Sequence, residues 1–253
     1  MSQRLVVTLI ALSLMASACR SSVGGSVFRK QYEYEEEIYL ALDGTATINV
    51  NASVPALVAL RGVDLPLDPR ARLDRGRVRA IFRGPGVEVT RVSLSRRHGR
   101  RFVHASVDAR DIRQLARVAP FAWSRYTLEK QGETVAFRDV VGPAARHDVG
   151  NVGWDGSELV AFRMHVPSRI PFHNSPNGVL RGNILEWDQP LNDRLEGVPL
   201  DLQVQMEPQS ILYSTLVLFG GTILAAAATF GLVIWWVARR GRHAALTESP
   251  SNT

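Results

Sequence analysis

The residue types that most often carry chemistry do not occur here at the spacings of known catalytic or metal sites. Five histidines are candidates for a metal site: His98, His104, His147, His165 and His173. They show neither the H-E-x-x-H spacing nor the paired cysteines of zinc sites. Ser157 follows a glycine, but no G-x-S-x-G turn surrounds it. We therefore predict no catalytic residue, no metal ligand and no cofactor, and we favour binding over catalysis.

Arginine is the residue type whose clustering does indicate a binding function. Fifteen arginines and only six acids lie between Arg61 and Arg117. The predicted lipid- or anion-binding residues are Arg72, Arg75, Arg79 and Arg83 at helical spacing, and Arg96, Arg97, Arg100 and Arg101 at a hairpin tip. Guanidinium groups bind phosphate through two parallel hydrogen bonds. The alternative is a solvated basic face, because lysine is nearly absent from this chain and arginine serves in its place.

A second binding site that the sequence leaves open is a groove rimmed by aromatic residues. The stretches "FAWSRY" and "FHNSPNG" contain Trp123, Tyr126, Phe172 and His173. Aromatic side chains in the core are the alternative explanation.

The N-terminus has the three parts of an export signal. Arg4 precedes eleven uncharged, mostly apolar residues, and Ala16–Ser17–Ala18 then form an A-x-A cleavage site. We predict a signal peptide over residues 1–18 and an extracytoplasmic domain over residues 19–208. Cys19, the single cysteine, is the predicted lipidation site of a bacterial lipoprotein. An unmodified terminal thiol is the alternative.

The C-terminus contains a long uncharged segment that predicts a transmembrane helix over residues 211–238. About 20 apolar residues cross the hydrocarbon core of a bilayer. Tyr213, Trp235 and Trp236 lie at its ends, where amphipathic rings favour the headgroup layers. Three arginines follow within the tail, residues 239–253, which places that tail in the cytoplasm by the positive-inside rule. The predicted location is the bacterial cytoplasmic membrane, with one span and the N-terminal domain outside.

The predicted span and the overall charge indicate which kinds of partner the protein could bind. Gly221, Ala225 and Ala228 provide small residues along one side of the span, which favours a homodimer or a membrane protein partner. The formal net charge of +6 falls to about +3 in the predicted outer domain, because four arginines and one glutamate lie outside it. Neither this charge nor the location favours nucleic acid as a partner.

The elements needed to position these residues are mostly short strands joined by tight turns. Alternating residues flank Asp43-Gly44, which predicts a hairpin at the start of the domain. Ser53 and Gly62 are expected to begin and end one short helix, and Asp68 to cap a second one. Further hairpins and a short helix over "DIRQLARVAPFA" follow. We predict an α+β fold with a mainly antiparallel sheet and one C-terminal transmembrane helix.

The order of these parts resembles the LppM-like family of bacterial envelope lipoproteins. The resemblance rests on the signal ending in cysteine, the hairpin around "LDGTATINV" and the C-terminal span with its basic stop, over residues 16–52 and 211–242. It implies an envelope role with a lipid-binding-like outer fold, and it transfers no catalytic residue.

The function we predict from the sequence is therefore a membrane-anchored envelope protein. Its outer domain would bind anionic lipid, another envelope component or a partner protein. Two alternatives stay open: a membrane-tethered hydrolase and an assembly factor acting through its membrane helix.

Overall fold

The computed structural model describes residues 31–209 and 211–247. The predicted signal peptide and Cys19 lie outside the described residues. Ten strands are described: β1 Tyr32–Leu40, β2 Ala46–Ser53, β3 Val87–Arg97, β4 Arg100–Ala109, β5 Ser124–Gln131, β6 Thr134–Val141, β7 Leu159–His165, β8 Phe172–His173, β9 Ile184–Pro190 and β10 Leu200–Met206. The described α-helices are α1 Val54–Arg61, α2 Arg75–Ile81, α3 Leu191–Glu196 and α4 Ile211–Thr247.

Six strands form the larger sheet, in the order β3-β4-β2-β1-β7-β9. Every neighbouring pair is antiparallel except β1 and β7, which run parallel with Tyr39 opposite His165. The predicted first hairpin is present, and Asp43 Oδ1 accepts a 2.9 Å hydrogen bond from the Thr45 amide within its turn. Gly44 has φ of 92° there, a conformation that favours glycine.

The smaller sheet has the strand order β5-β6-β10-β8, and its described pairs are antiparallel. Inward residues of both sheets, such as Ile48 of β2 and Val204 of β10, belong to one hydrophobic core. The prediction of an α+β fold with mainly antiparallel sheets is confirmed. The helix predicted over "DIRQLARVAPFA" is instead two 3₁₀ turns, Ile112–Arg117 and Ala119–Phe121.

The first short helix agrees with its prediction. Ser53 Oγ accepts a hydrogen bond from the Ala56 amide at 3.1 Å, and Gly62 ends α1 in the left-handed region at φ of 65°. The second prediction is wrong at its start, because Asp74 and not Asp68 caps α2. Asp68 accepts a hydrogen bond from the Arg70 amide and forms a turn before the helix.

The C-terminal helix α4 is long and apolar enough to cross a membrane. Its segment Thr215–Trp236 has a mean hydropathy of 2.2, and none of it is buried against the rest of the protein. The helix continues past the predicted end of the span, through the basic residues to Thr247. Only four residues, 207–210, separate β10 from α4.

Candidate functional site: an arginine groove at the sheet edge

An open groove lies at the β3 edge of the larger sheet, beside the segment that leads into α2. It is lined by Arg72, Leu73, Asp74, Arg75 and Leu94, and has a volume of about 700 Å³. Leu73 is buried in the core and Leu94 packs against it, whereas both arginines are exposed. We call this site the arginine groove; it has an apolar floor and a basic rim.

The single acid of the arginine groove is engaged with the backbone. Asp74 accepts hydrogen bonds from the amides of Gly76 at 2.9 Å and Arg77 at 3.3 Å, and so begins α2. Neither Arg72 nor Arg75 forms an ion pair or a side-chain hydrogen bond with any residue in the described part of the chain. Their guanidinium groups are therefore available to a ligand.

The other two arginines of the predicted helical group do not join them on one face. Arg79 donates a hydrogen bond to the Val89 carbonyl and so attaches α2 to β3. Arg83 follows the end of α2 and is exposed. Helical spacing therefore does not place the four arginines on one helix face, because Arg72 precedes the helix and Arg83 lies beyond it.

Two arginines of the β3–β4 hairpin are exposed but partly tied to the backbone. Arg96 donates to the Pro69 carbonyl at 3.0 Å, and Arg97 donates to the Tyr32 carbonyl at 2.7 Å. Both guanidinium groups keep further donors that can reach an anion. Arg96 lies two residues from Leu94 on the same side of β3 and extends the basic rim of the groove toward the hairpin tip, whereas Arg97 lies on the outer face with Ser95.

The remaining two hairpin arginines hold loops in place. Arg100 pairs with Glu33 at 3.0 Å, with side chains 10% and 0% exposed. Arg101 is buried and donates to the Ala71 carbonyl at 2.7 Å. Burial lowers the pKa of Arg101, and the nearby charge of Arg96 adds to this effect. Because Ala71 directly precedes Arg72, Arg101 supports one wall of the groove.

A buried polar cluster lies between the two sheets, and the sequence analysis missed it. Glu36 pairs with Arg61 at 2.8 Å, and both side chains are almost completely buried. Tyr34 and Tyr126 donate their hydroxyl protons to Glu36 at 2.7 and 3.0 Å. Burial raises the pKa of both tyrosines well above its usual value. The Arg61 guanidinium lies 3.1 Å from the centre of the Trp123 ring.

Asp139 of β6 belongs to the same cluster but is not satisfied within it. Neither carboxyl oxygen has a hydrogen-bond partner among the described residues, and the side chain is fully buried. Burial raises the pKa of Asp139 well above its usual value, and the charge of Glu36 adds to the rise. The Ser124 hydroxyl, which lies near Asp139 without hydrogen-bond geometry, and the charge of Arg61 oppose that shift. Arg61 and Arg194 also bury nitrogen atoms without partners.

The outer face of the larger sheet is polar and extensively hydrogen-bonded. One row of side chains, joined by hydrogen bonds and an ion pair, crosses all six strands; it consists of Ser95, His104, Asn51, Glu35, Arg163 and Glu186. The row uses His104 as a structural residue, with its two ring nitrogens 2.7 and 2.8 Å from Ser95 and Asn51. These hydrogen bonds satisfy the half-buried polar side chains of the row without requiring a ligand.

A larger cavity, of about 800 Å³, lies at the end of this sheet near the first hairpin. Tyr39 and His165 line it, and their rings stack at 3.9 Å. His165 Nε2 is 2.7 Å from Glu37, and burial together with Glu37 raises the pKa of Tyr39. The lining mixes apolar residues with both charge signs, so it does not select one ligand class.

The other sequence candidates do not come together at one place. His98 and His147 are exposed in loops, and His173 belongs to β8. Trp123 stacks within the buried cluster, whereas Phe172 is exposed. Within residues 31–209 and 211–247, no group of three or more His, Cys, Asp or Glu side chains could hold a metal ion.

We compared the chain with known proteins. The chain matches no family model and no curated protein. It is similar to the NMR structure of the folded domain of LppM from Mycobacterium tuberculosis, at 13% sequence identity and a TM-score of 0.41. The match covers 72% of this chain and 94% of the LppM domain. The proposals below rest on the residues of this chain.

Proposed function

We propose that this protein is a bacterial envelope protein held in the cytoplasmic membrane by α4, with the folded domain outside and the C-terminus inside. The hydropathy of Thr215–Trp236 and the arginines that follow support this topology. We further propose that Cys19 becomes the acylated N-terminal residue. Mass spectrometry of the N-terminal peptide tests the acylation. Protease added to spheroplasts should digest the folded domain and spare the tail, whereas the reverse result contradicts the topology.

The folded domain, in this proposal, binds an anionic amphiphile in the arginine groove. The observation that carries the proposal is the pairing of an apolar floor, Leu73 and Leu94, with the unpaired guanidinium groups of Arg72 and Arg75. A lipid phosphate can accept two hydrogen bonds from one guanidinium while the start of an acyl chain covers the leucines. The ligand class that fits is therefore a phospholipid or a similar phosphate-bearing lipid.

The position of the groove favours a lipid that is held away from the anchoring bilayer. Leu94 lies seven residues along β3 from Val87, which is about 20 Å along the sheet. Val87 is at the same end of the sheet as the first hairpin and the end of β7. The chain leaves for α4 from that end, since the Glu207 amide bonds the Arg169 carbonyl just beyond β7. A lipid-handling or lipid-sensing role follows more readily than a surface contact.

Native mass spectrometry of the full chain in nonionic detergent tests the ligand class. Added phosphatidylglycerol should bind more tightly than phosphatidylcholine. Arg72→Ala combined with Arg75→Ala should weaken phosphatidylglycerol binding about tenfold, which corresponds to about 1.4 kcal/mol. The matched control is Arg125→Ala with Lys130→Ala, which removes the same charge from exposed positions of β5.

Leu94→Ser separates an amphiphile from a purely anionic polymer. The substitution should weaken phosphatidylglycerol binding and leave the binding of polyphosphate unchanged. Equal loss in the groove variant and in the β5 control would show that only overall charge matters, which contradicts the proposal. Binding of polyphosphate alone would replace the lipid by an anionic envelope polymer.

A further inference from the structure

An acid-free loop with exposed apolar side chains connects β7 to β9. Residues 167–183 contain two arginines and no aspartate or glutamate. Phe172, Val179 and Leu180 are 46%, 45% and 41% exposed. Exposed apolar side chains of this size, grouped in one loop and accompanied by positive charge, are typical of a surface that contacts a membrane.

Hydrogen bonds hold this loop in a defined shape. The Val166 amide donates to the Asn183 carbonyl at 3.0 Å, and the Asn183 side chain donates to the Ser168 carbonyl at 2.8 Å. Leu180 and Ile184 exchange backbone hydrogen bonds at its second turn. The two ends of the loop are therefore fixed beside each other, and its exposed apolar residues are not on a freely moving chain.

The same loop is attached to the last strand before the membrane helix. Phe172 of β8 lies opposite Gln205 of β10, and the Glu207 amide donates to the Arg169 carbonyl at 2.9 Å. Ile211 begins α4 only four residues after Glu207. Four residues of fully extended chain span at most about 14 Å. The Arg169 carbonyl, one hydrogen bond from Glu207, therefore lies only slightly beyond that reach of the start of the helix.

We propose that residues 169–181 form a second membrane contact, in which Phe172, Val179 and Leu180 enter the headgroup layer of the bilayer that α4 spans. This inference depends on α4 crossing the bilayer and is independent of any ligand in the arginine groove. The partner is lipid because the helix brings the bilayer to this end of the domain. Arg181 complements anionic headgroups, and so does Arg169, whose exposed guanidinium is 3.9 Å from Glu207.

This contact would fix the orientation of the domain on the membrane. One helix leaves a tethered domain free to tilt, whereas a second contact beside the tether restricts the tilt. The hairpin tip with the arginine groove would then point away from the bilayer, because it lies at the opposite end of the larger sheet.

Photo-crosslinking of the full chain in nanodiscs tests the contact. Phe172 or Leu180 is replaced by p-benzoyl-phenylalanine, in discs that hold one chain and contain phosphatidylglycerol and phosphatidylcholine. Asn192, exposed on α3 at the opposite end of the larger sheet, is the control position. We expect at least fivefold more lipid adduct at positions 172 and 180 than at position 192. Unchanged thermal unfolding midpoints verify that the replacements leave the fold intact.

A double variant of the arginines gives a second readout. Arg169→Ala with Arg181→Ala should lower the adduct yield severalfold in discs with phosphatidylglycerol, but not in discs of phosphatidylcholine alone. Equal lipid adducts at positions 172, 180 and 192 would overturn the proposal. Adducts to protein only, at positions 172 and 180, would overturn it as well and would assign the loop to a protein contact.

Discussion

Replacing Asp139 by asparagine should stabilise the protein at neutral pH. The carboxyl group is buried, neither of its oxygens is hydrogen-bonded within the described residues, and its pKa is raised well above the usual value. When a group has a higher pKa in the folded state, the protein loses stability as the pH rises above the pKa that this group has in the unfolded state. Asp139→Asn keeps the shape of the side chain and removes this loss, because the amide stays neutral.

The size of the effect follows from the charge, because an asparagine amide at the same place would leave the same hydrogen bonds unmade. A buried polar group without a partner costs about 1–3 kcal/mol, and more when it is charged. We therefore expect Asp139→Asn to raise the free energy of unfolding by about 1–3 kcal/mol at pH 8. The gain should shrink as the pH falls and vanish below about pH 4, where aspartate is protonated in both states.

Urea unfolding of the full chain in detergent, followed by tryptophan fluorescence, measures this gain. With a urea dependence of about 2 kcal/mol per molar, the midpoint should rise by about 0.5–1.5 M at pH 8. Asp201→Asn is the matched control on the neighbouring strand, because Asp201 is paired with Arg138 at 2.7 Å and has a lowered pKa. That control should lose about 0.3–1 kcal/mol at pH 8, an effect that should shrink as the pH falls through the lowered pKa of Asp201.

The reasoning is refuted if Asp139→Asn destabilises the protein at pH 8 and the loss disappears in acid. Such a result would mean that Asp139 is ionised in the folded state and stabilised by Arg61 and Arg194.

Two further substitutions test the buried pair and the membrane helix. Glu36→Gln should cost about 3–5 kcal/mol in the same urea assay, because it leaves the Arg61 charge buried without its partner; a loss below 1 kcal/mol would show that the pair is dispensable. If the small residues of α4 form a helix–helix contact, Gly221→Leu with Ala225→Leu should abolish dimers that cross-linking detects in native membranes. The same yield of dimers in Leu216→Ala and in the double variant would exclude that contact.

The parts of the fold that could be predicted from the sequence are those set by local patterns. Asp43-Gly44 with its alternating flanks defines one hairpin, and Leu202, Val204 and Met206 define the buried face of β10. The Ser53 cap and Gly62 define α1. Each of these depends on residues within one element, so the period and the turn residues suffice.

The parts that could not be predicted depend on contacts between distant segments. Glu36 lies on the inward face of β1 between Tyr34 and Ile38, and this break in the pattern was the one available signal of the buried cluster. Its partners Arg61 and Tyr126 come from other elements, which no local spacing reveals. The cap of α2 was misplaced because Asp68 and Asp74 are both suitable in type; Asp68 forms a turn, and Asp74 caps the helix, whose Val78 is buried in the core.

The eight arginines predicted to bind a lipid or anion include both exposed and engaged side chains. Arg72 and Arg75 are exposed as a binding role requires, whereas Arg100 and Arg101 are engaged in the structure. Sequence could not separate these two groups, because the carbonyls bound by Arg101 lie about 30 residues away in a loop without periodic pattern.

The parallel pairing of β1 with β7 has a consequence for how the chain is made. About 120 residues separate the two strands. At a synthesis rate of 5–20 residues per second, β7 is made about 6–24 s after β1. During that time one edge of β1 is unpaired and able to join another nascent chain. Negative charge lies along β1, on Glu33, Glu35 and Glu37. Charged side chains on an unpaired edge strand discourage its pairing with another chain. A polypeptide truncated before residue 159 would lack β7 and keep that edge of β1 permanently open.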